Sequence, residues 1–394
     1  MTVVPDVPSG ATGDPPPPRR HRTRWAVLAA AGLAALVLAA VLVARDPAGE
    51  EQGEVDSAAP TRVLETGVEV FSLWRDWAVN TQMLDAVAAS GSGWVRVGVG
   101  WCSLEEAGPG LVSEWYQGRL DATVAEAARR GLRVLATVAC TPGWLSGSDD
   151  LKVLPTDVGQ YERVVRYLAA RYAGRVAAWE IWNEPDCVTG TCPEGDPAAY
   201  VGVLRAGYAG VKAGDPQATV VSGGVSGANA EWIGRMYAAG GGGWFDALGI
   251  HPYQGPAAEP PEAPPAEHPY RITNVERVRE VMTAHGDGGK PIWFTEFGWT
   301  TGAGEGWSAG VDEVTQADYL RRAITMVQQR YGYVTHAFVF TIRDRDDWSL
   351  YENNFGLVRL DGTPKAALAA LRTVNGWLAD QRARGSGRSD DGGP

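Results

Sequence analysis

Among 394 residues there are only four cysteines and five histidines, and the histidines are scattered along the chain. A zinc centre draws on clustered Cys and His ligands, and the close pair Cys187 and Cys192 has a Cys-x4-Cys spacing unlike a zinc motif. No metal and no other cofactor is expected. Positive charge is also short, with 35 Lys and Arg against 47 Asp and Glu, a net of −12. Residues 1–45 hold five arginines against Asp6 and Asp14, a net of +3, so residues 46–394 carry −15. Such an acidic chain is a poor match for nucleic acid or an anionic membrane face. It weakly favours neutral or cationic substrates. A phosphate-binding turn is missing too. Val70-Phe71-Ser72-Leu73 is not glycine-rich, and Gly240–Gly243 lacks a following Lys-Ser/Thr, so it reads as a flexible turn.

Charge is absent altogether from Trp25 to Ala44, a run built mostly of Ala, Leu and Val. Its length matches the roughly 20 residues a helix needs to cross a bilayer. A cleaved signal peptide is the rival, but its apolar region usually covers about 7–15 residues, and Leu42-Val43-Ala44-Arg45 is a poor cleavage site. A buried soluble helix would show a polar face, and this run has none. Arg19, Arg20, Arg22 and Arg24 precede it and favour a cytoplasmic N-terminus. The expected organisation is a Pro/Arg-rich tail (1–24), a single membrane span (25–44), a linker (45–61), one large extracellular domain (62–380) and a disordered tail (381–394). Cleavage would make the protein secreted. Outside the cell, four cysteines suggest disulfides. Cys187 and Cys192 are close enough to close a small loop, whereas Cys102 and Cys140 each follow an expected strand and would share one face. Free thiols are the alternative.

From residue 62 onward, short Val/Ile-rich runs alternate with amphipathic segments. Strands are expected over 67–71, 94–101, 132–140, 176–184, 218–225, 246–253, 291–299 and 334–343. Helices are expected over Leu120–Arg130, Val158–Tyr172, Pro197–Ala213, Val314–Arg330 and Pro364–Ala379. This alternation predicts right-handed parallel units, and eight of them make a (β/α)8 barrel. The proline-rich stretch Gly255–Pro269 follows the sixth strand, where it would form a wall of the active face or a passive spacer.

Two strands end alike. Trp179-Glu180-Ile181-Trp182-Asn183-Glu184-Pro185 is answered by Trp293-Phe294-Thr295-Glu296-Phe297-Gly298-Trp299. Carboxylates at the ends of buried strands are costly unless they serve a purpose, and barrels place their chemistry at the C-terminal ends of strands. Two carboxyls among aromatic rings suit acid-assisted cleavage of a glycosidic bond. Asn183 can offer an amide to a sugar hydroxyl. Trp101, Trp144, Trp182 and Trp299 fall at or just past strand ends, where indole faces can stack on sugar rings. Glu180 lies about 13 Å below Glu184, inside the barrel, and reads as structural, paired with Arg96 or Arg133.

The Trp-Asn-Glu-Pro segment, Gly249-Ile250-His251-Pro252-Tyr253 and Trp293–Trp299 resemble the fourth, sixth and seventh strands of clan A glycoside hydrolases. The similarity is to bacterial cellulase-family glycosyl hydrolases near the β-xylosidase and α-L-iduronidase group, and covers about residues 62–380. It implies a retaining glycosidase acting on an oligo- or polysaccharide, with Glu184 as acid/base and Glu296 as nucleophile; a cell-surface transglycosylase using the same residues and a barrel that binds glycan without cutting it are the alternatives. Asn183 would bind the sugar 2-hydroxyl, Tyr253 would hydrogen-bond the nucleophile near His251, and Arg96 would sit beneath it. Two positions depart from the clan. Cys140-Thr141-Pro142-Gly143-Trp144 stands where a histidine is common, and Phe338-Val339-Phe340-Thr341 lacks the tryptophan of the eighth strand. Trp348, or Arg343 and Asp344, would take over that part of the site.

Overall fold

The computed structural model describes residues 62–74, 76–148, 150–187 and 194–387. The expected membrane span 25–44 and linker 45–61 lie outside the described residues. Among those described, no helix is long and apolar enough to cross a membrane.

Eight strands close into a barrel in chain order: β1 (Glu65–Val70), β2 (Trp94–Gly100), β3 (Arg133–Ala139), β4 (Ala178–Asn183), β5 (Thr219–Ser226), β6 (Leu248–His251), β7 (Ile292–Phe297) and β8 (Val334–Val339). All neighbouring pairs are parallel, and β1 closes on β8 with Gly67 opposite Phe338. Strand alternation divides the apolar residues between two cores. Val95, Val97, Val99, Trp179 and Ile181 face the surrounding helices, whereas Trp94, Leu135, Ala178, Val221, Ala247, Trp293 and Phe338 fill the lower barrel. Gly67 makes that filling possible, since a Cβ there would lie 2.3 Å from the Phe338 ring.

The helices start where side chains satisfy their free N–H groups. Asp157 caps Val158–Arg171, and Asp196 caps Pro197–Gly214 with proline in the first turn. Ser113 accepts from Tyr116 N and starts Glu114–Arg129 a turn and a half earlier than hydrophobic periodicity suggested. The last helix, Ala366–Gly387, runs past the expected start of the tail. Arg382 reaches back from it to the Leu64 carbonyl at 2.7 Å.

The barrel end at which the strands finish is fastened by two further features. A disulfide joins Cys102 and Cys140, tying the segments that follow β2 and β3; Cys187 is disulfide-bonded as well, and Cys192 lies outside the described residues. The proline-rich stretch is anchored by Thr273 Oγ1 on the Ala263 carbonyl at 2.7 Å and Asn274 Nδ2 on His268 at 2.8 Å. It is bonded to the end of β7 through the Trp299 indole N–H, 3.0 Å from the Glu259 carbonyl.

Candidate active site

The site rests on a buried arginine. The register sets Glu69 of β1 beside Arg96 of β2, and the Arg96 guanidinium is 1% exposed. Its Nε donates to Glu180 at 2.8 Å, Nη2 to Asn183 Oδ1 at 2.7 Å, and Nη1 lies 2.6 Å from Glu296 and 2.7 Å from Glu69. Arg133, the other expected partner of Glu180, instead pairs with Glu65 at the opposite end of the barrel. Glu180 also accepts from Thr137 Oγ1 at 2.6 Å and Gly224 N at 3.1 Å. Both of its oxygens are satisfied, which fits a structural role.

Three buried carboxyls around one guanidinium leave excess negative charge, and burial favours the neutral form. Desolvation drives Glu69 well above the usual carboxylate range, with Glu296 and Glu180 adding to the effect and Arg96 opposing it. A proton held by the folded state but released on unfolding stabilises at low pH, and that contribution fades as pH rises above the ordinary value of 4.5. Glu69→Gln should therefore match wild-type stability near the ordinary carboxylate pKa and exceed it at pH about 8. Urea midpoints across this range would reveal the difference; a variant weaker than wild type at the alkaline end would contradict a neutral Glu69.

Above this floor, backbone irregularities aim Glu184 and Glu296. Trp182 and Glu184 have positive φ, 78° and 47°, uncommon and strained for residues with a Cβ. The turn sends the Trp182 ring outward against Tyr161 and brings Asn183 in to Arg96. In β7 the register shifts between Phe294 and Phe297, so Glu296 enters the barrel beside Thr295. Tyr253 donates its hydroxyl to Glu296 Oε2 at 2.7 Å. His251 Nδ1 sits between the pair, 3.3 Å from Glu184 Oε1 and 3.5 Å from Glu296 Oε2. Burial would lower the His251 pKa, but Glu296 and Glu184 outweigh it and raise it. Lys152 contacts the outer oxygen of Glu184 at 3.0 Å. Burial raises the Glu184 pKa, yet His251 and Lys152 together bring it down to about 2.

Donor atoms of Glu184, His251 and Glu296 lie within 4.8 Å of one another, close enough to hold a cation. Lys152 and Arg96 already supply positive charge to both carboxylates.

Gly224 is the tightest point of this assembly. Its carbonyl accepts from Glu184 N at 3.0 Å, and a Cβ there would lie 2.1 Å from His251 Nε2 and 2.5 Å from Thr295 Oγ1. Neither contact can yield without moving a side chain of the site. Gly224→Ala should therefore lower kcat/KM by about 100-fold, in line with small misplacements of reacting groups, while far-ultraviolet circular dichroism stays unchanged. Wild-type turnover would mean that His251 has room to retreat.

The expected aromatic platform is rearranged. Trp101 is fully buried, its N–H on Glu105 Oε2 at 2.8 Å, and Trp299 is 3% exposed beneath the proline-rich stretch. Neither presents a free face to a sugar, because each indole is needed to seal a loop. Trp144 is half-buried and donates to the Glu105 carbonyl at 2.6 Å. Trp348 is 42% exposed and stacks in parallel on Phe340, beside the position where the clan carries its tryptophan. Arg343 and Asp344 turn instead to Asp76 and Lys365. Sequence reasoning overlooked Trp74, Trp115 and Trp307, which are about half exposed, and also Glu69 and Lys152. Glu69 had a signal only as a carboxylate inside an apolar strand, and the register with β2 gives it meaning. Lys152 had none.

A family model described as Cellulase (glycosyl hydrolase family 5) matches residues 56–337. Among solved structures, a family 39 glycoside hydrolase from Bacteroides cellulosilyticus WH2 superposes with TM-score 0.65 at 22% identity, covering 81% of this chain and 64% of that one. An exo-beta-1,4-mannosidase from Opitutaceae bacterium strain TAV5 gives 0.61 at 19% identity, with 81% and 60% covered. A monomeric beta-xylosidase from Caulobacter crescentus CB15 gives 0.60 at 19% identity, with 81% and 68% covered. The chain thus spans less than two thirds of the length of the first two. No curated protein matches the sequence. The family match runs through all of the strands that carry the site up to β8, and the chain belongs to the cellulase family, glycosyl hydrolase family 5.

Proposed function

We propose that the protein cleaves O-glycosidic bonds of an oligo- or polysaccharide with retention of configuration, Glu296 acting as nucleophile and Glu184 as acid/base. The observation that carries this reading is the closeness of the two carboxylates: an oxygen of Glu184 and one of Glu296 lie within 4.8 Å of each other, and both groups are within 3.5 Å of His251 Nδ1. Retaining enzymes hold their carboxyls about 5–5.5 Å apart, whereas inverting ones leave about 6.5–9.5 Å for a water. Glu184 protonates the leaving oxygen while Glu296 attacks the anomeric carbon. A water, deprotonated by Glu184, then releases the sugar. Asn183 donates its NH2 group to the sugar 2-hydroxyl, a role supported by Arg96 occupying its carbonyl oxygen.

The apolar run Trp25–Ala44 with its preceding arginines supports a membrane anchor with the barrel outside the cell. The Cys102–Cys140 disulfide suits an oxidising compartment.

The test is turnover by the full chain of a panel of α- and β-glycosides and polysaccharides, beginning with β-mannosides and β-xylosides. Proton NMR of the first-formed anomer supports the mechanism if configuration is retained and sinks it if inverted. Transfer oligomers in place of free sugar would identify a transglycosylase using the same residues.

A further inference from the structure

Both oxygens of Glu184 are occupied by neighbouring side chains, Oε1 by His251 at 3.3 Å and Oε2 by Lys152 at 3.0 Å. An acid that protonates a leaving oxygen must carry a proton and turn one oxygen to the substrate, so this arrangement has to open. We propose that Lys152 is a positioning residue that closes on Glu184 in the free enzyme and is displaced from it by the entering glycan, whose leaving-group hydroxyls then accept from the ammonium. The inference rests on Glu184 being the acid/base.

The two partners differ in freedom. His251 is completely buried on β6, and Gly224 and Thr295 pack behind its ring. The Lys152 side chain is 32% exposed at the mouth of the site. Its backbone is held, since Lys152 N donates to Asp150 Oδ1 at 2.9 Å and the Val153 carbonyl accepts from Thr141 Oγ1 at 2.6 Å. The loop therefore stays while the four-carbon stem swings. Departure of the ammonium removes one of the charges that keep Glu184 ionised, so substrate entry itself raises the proton affinity of the acid. The titratable groups facing Glu184 are Lys152 from the loop after β3, Asp186 from its own turn, His251 from β6, the neutral Tyr253 beyond β6 and Glu296 from β7. Arg96 stands behind Glu296. Of these groups only Lys152 is both cationic and free to leave.

Two measurements on Lys152→Met in the full chain test this. Carbon NMR titration of carboxyl-labelled free protein, with Glu184→Gln identifying the resonance, should show the Glu184 midpoint raised by about one pH unit or more, the usual effect of removing a close opposite charge. On the most rapidly cleaved glycoside of the panel, the alkaline limb of kcat/KM, which reports the free enzyme, should move upward by a similar amount. The limb of kcat, which reports the complex, should stay in place. Limbs that move together would mean that Lys152 remains on Glu184 through turnover, and a titration midpoint that does not move would mean that it exerts no hold; either overturns the proposal. Failure of the wild type to cleave any glycoside would instead count against the hydrolytic assignment, and the titration would still decide the behaviour of Lys152.

Discussion

Replacing Glu296 with glutamine is expected to abolish turnover, lowering kcat by on the order of 10⁴-fold or more, as losses of a covalent nucleophile do. The amide is nearly the same shape: its oxygen can accept from Arg96 and its NH2 can donate to the Tyr253 hydroxyl oxygen, the two groups that contact Glu296 at 2.6 and 2.7 Å. The barrel should therefore keep its stability while losing the group that bonds the anomeric carbon. Glu184→Ala should behave differently. Its loss falls most heavily on poor leaving groups, so an activated aryl glycoside should retain substantial turnover. An added small anion such as azide should partly restore the second step by attacking from the side that Glu184 leaves open. Burst kinetics with the aryl glycoside would separate the two steps. Normal activity of both variants would show that the carboxyls are assigned to the wrong chemistry.

The largest effect on stability is expected at Arg96. Replacing it with methionine leaves Glu69, Glu180 and Glu296 without the cation they share. Breaking a buried ion pair by removing one partner typically costs about 3–5 kcal/mol, and here three partners are stranded together. The cost should depend on pH with a defined sign. Without the guanidinium, the stranded carboxyls resist ionisation in the fold but ionise freely when unfolded. Arg96→Met should therefore be most stable at acidic pH and lose ground as pH rises through and beyond the ordinary carboxylate range. Guanidinium chloride midpoints from about pH 4.5 to 8 measure this directly. A cost that does not change with pH would mean that lost packing, and not stranded charge, is the cause. Combining Arg96→Met with Glu69→Gln should recover part of the loss, because one of the three carboxyls can then no longer ionise.

Much of the fold and part of the site could be read along the chain because they depend on local pattern. Val/Ile runs alternating with amphipathic segments are a one-dimensional signal, and each expected strand overlaps an observed one to within a few residues. Strand β6 came out shorter than expected, Leu248–His251, because the chain turns at Pro252 and its apolar character outlasts its hydrogen bonding. Glu184, Glu296 and Asn183 were singled out from motifs at strand ends, and His251, Tyr253 and Arg96 from the resemblance that those motifs carry; the barrel brings all six together. The tryptophans were misjudged for a physical reason. Position at a strand end says that an indole lies near the site, but not whether a loop covers it: Trp299 is sealed by the Glu259 carbonyl, 40 residues away, and Trp101 packs against Trp144 and Tyr161.

By itself, then, the sequence determined the barrel, the pair of glutamates and the ends of the strands that present them. Only the tertiary structure decided the electrostatics. Whether Glu69 faces Arg96 depends on strand register. Whether Asn183 points inward depends on the inverted φ of Trp182, where simple alternation would have turned it away. Whether Lys152 reaches Glu184 depends on how the loop after β3 is held by Thr141. Burial and charge act through space over a few ångströms, and residues at that distance from Glu184 and Glu296 come from at least five different strands and loops.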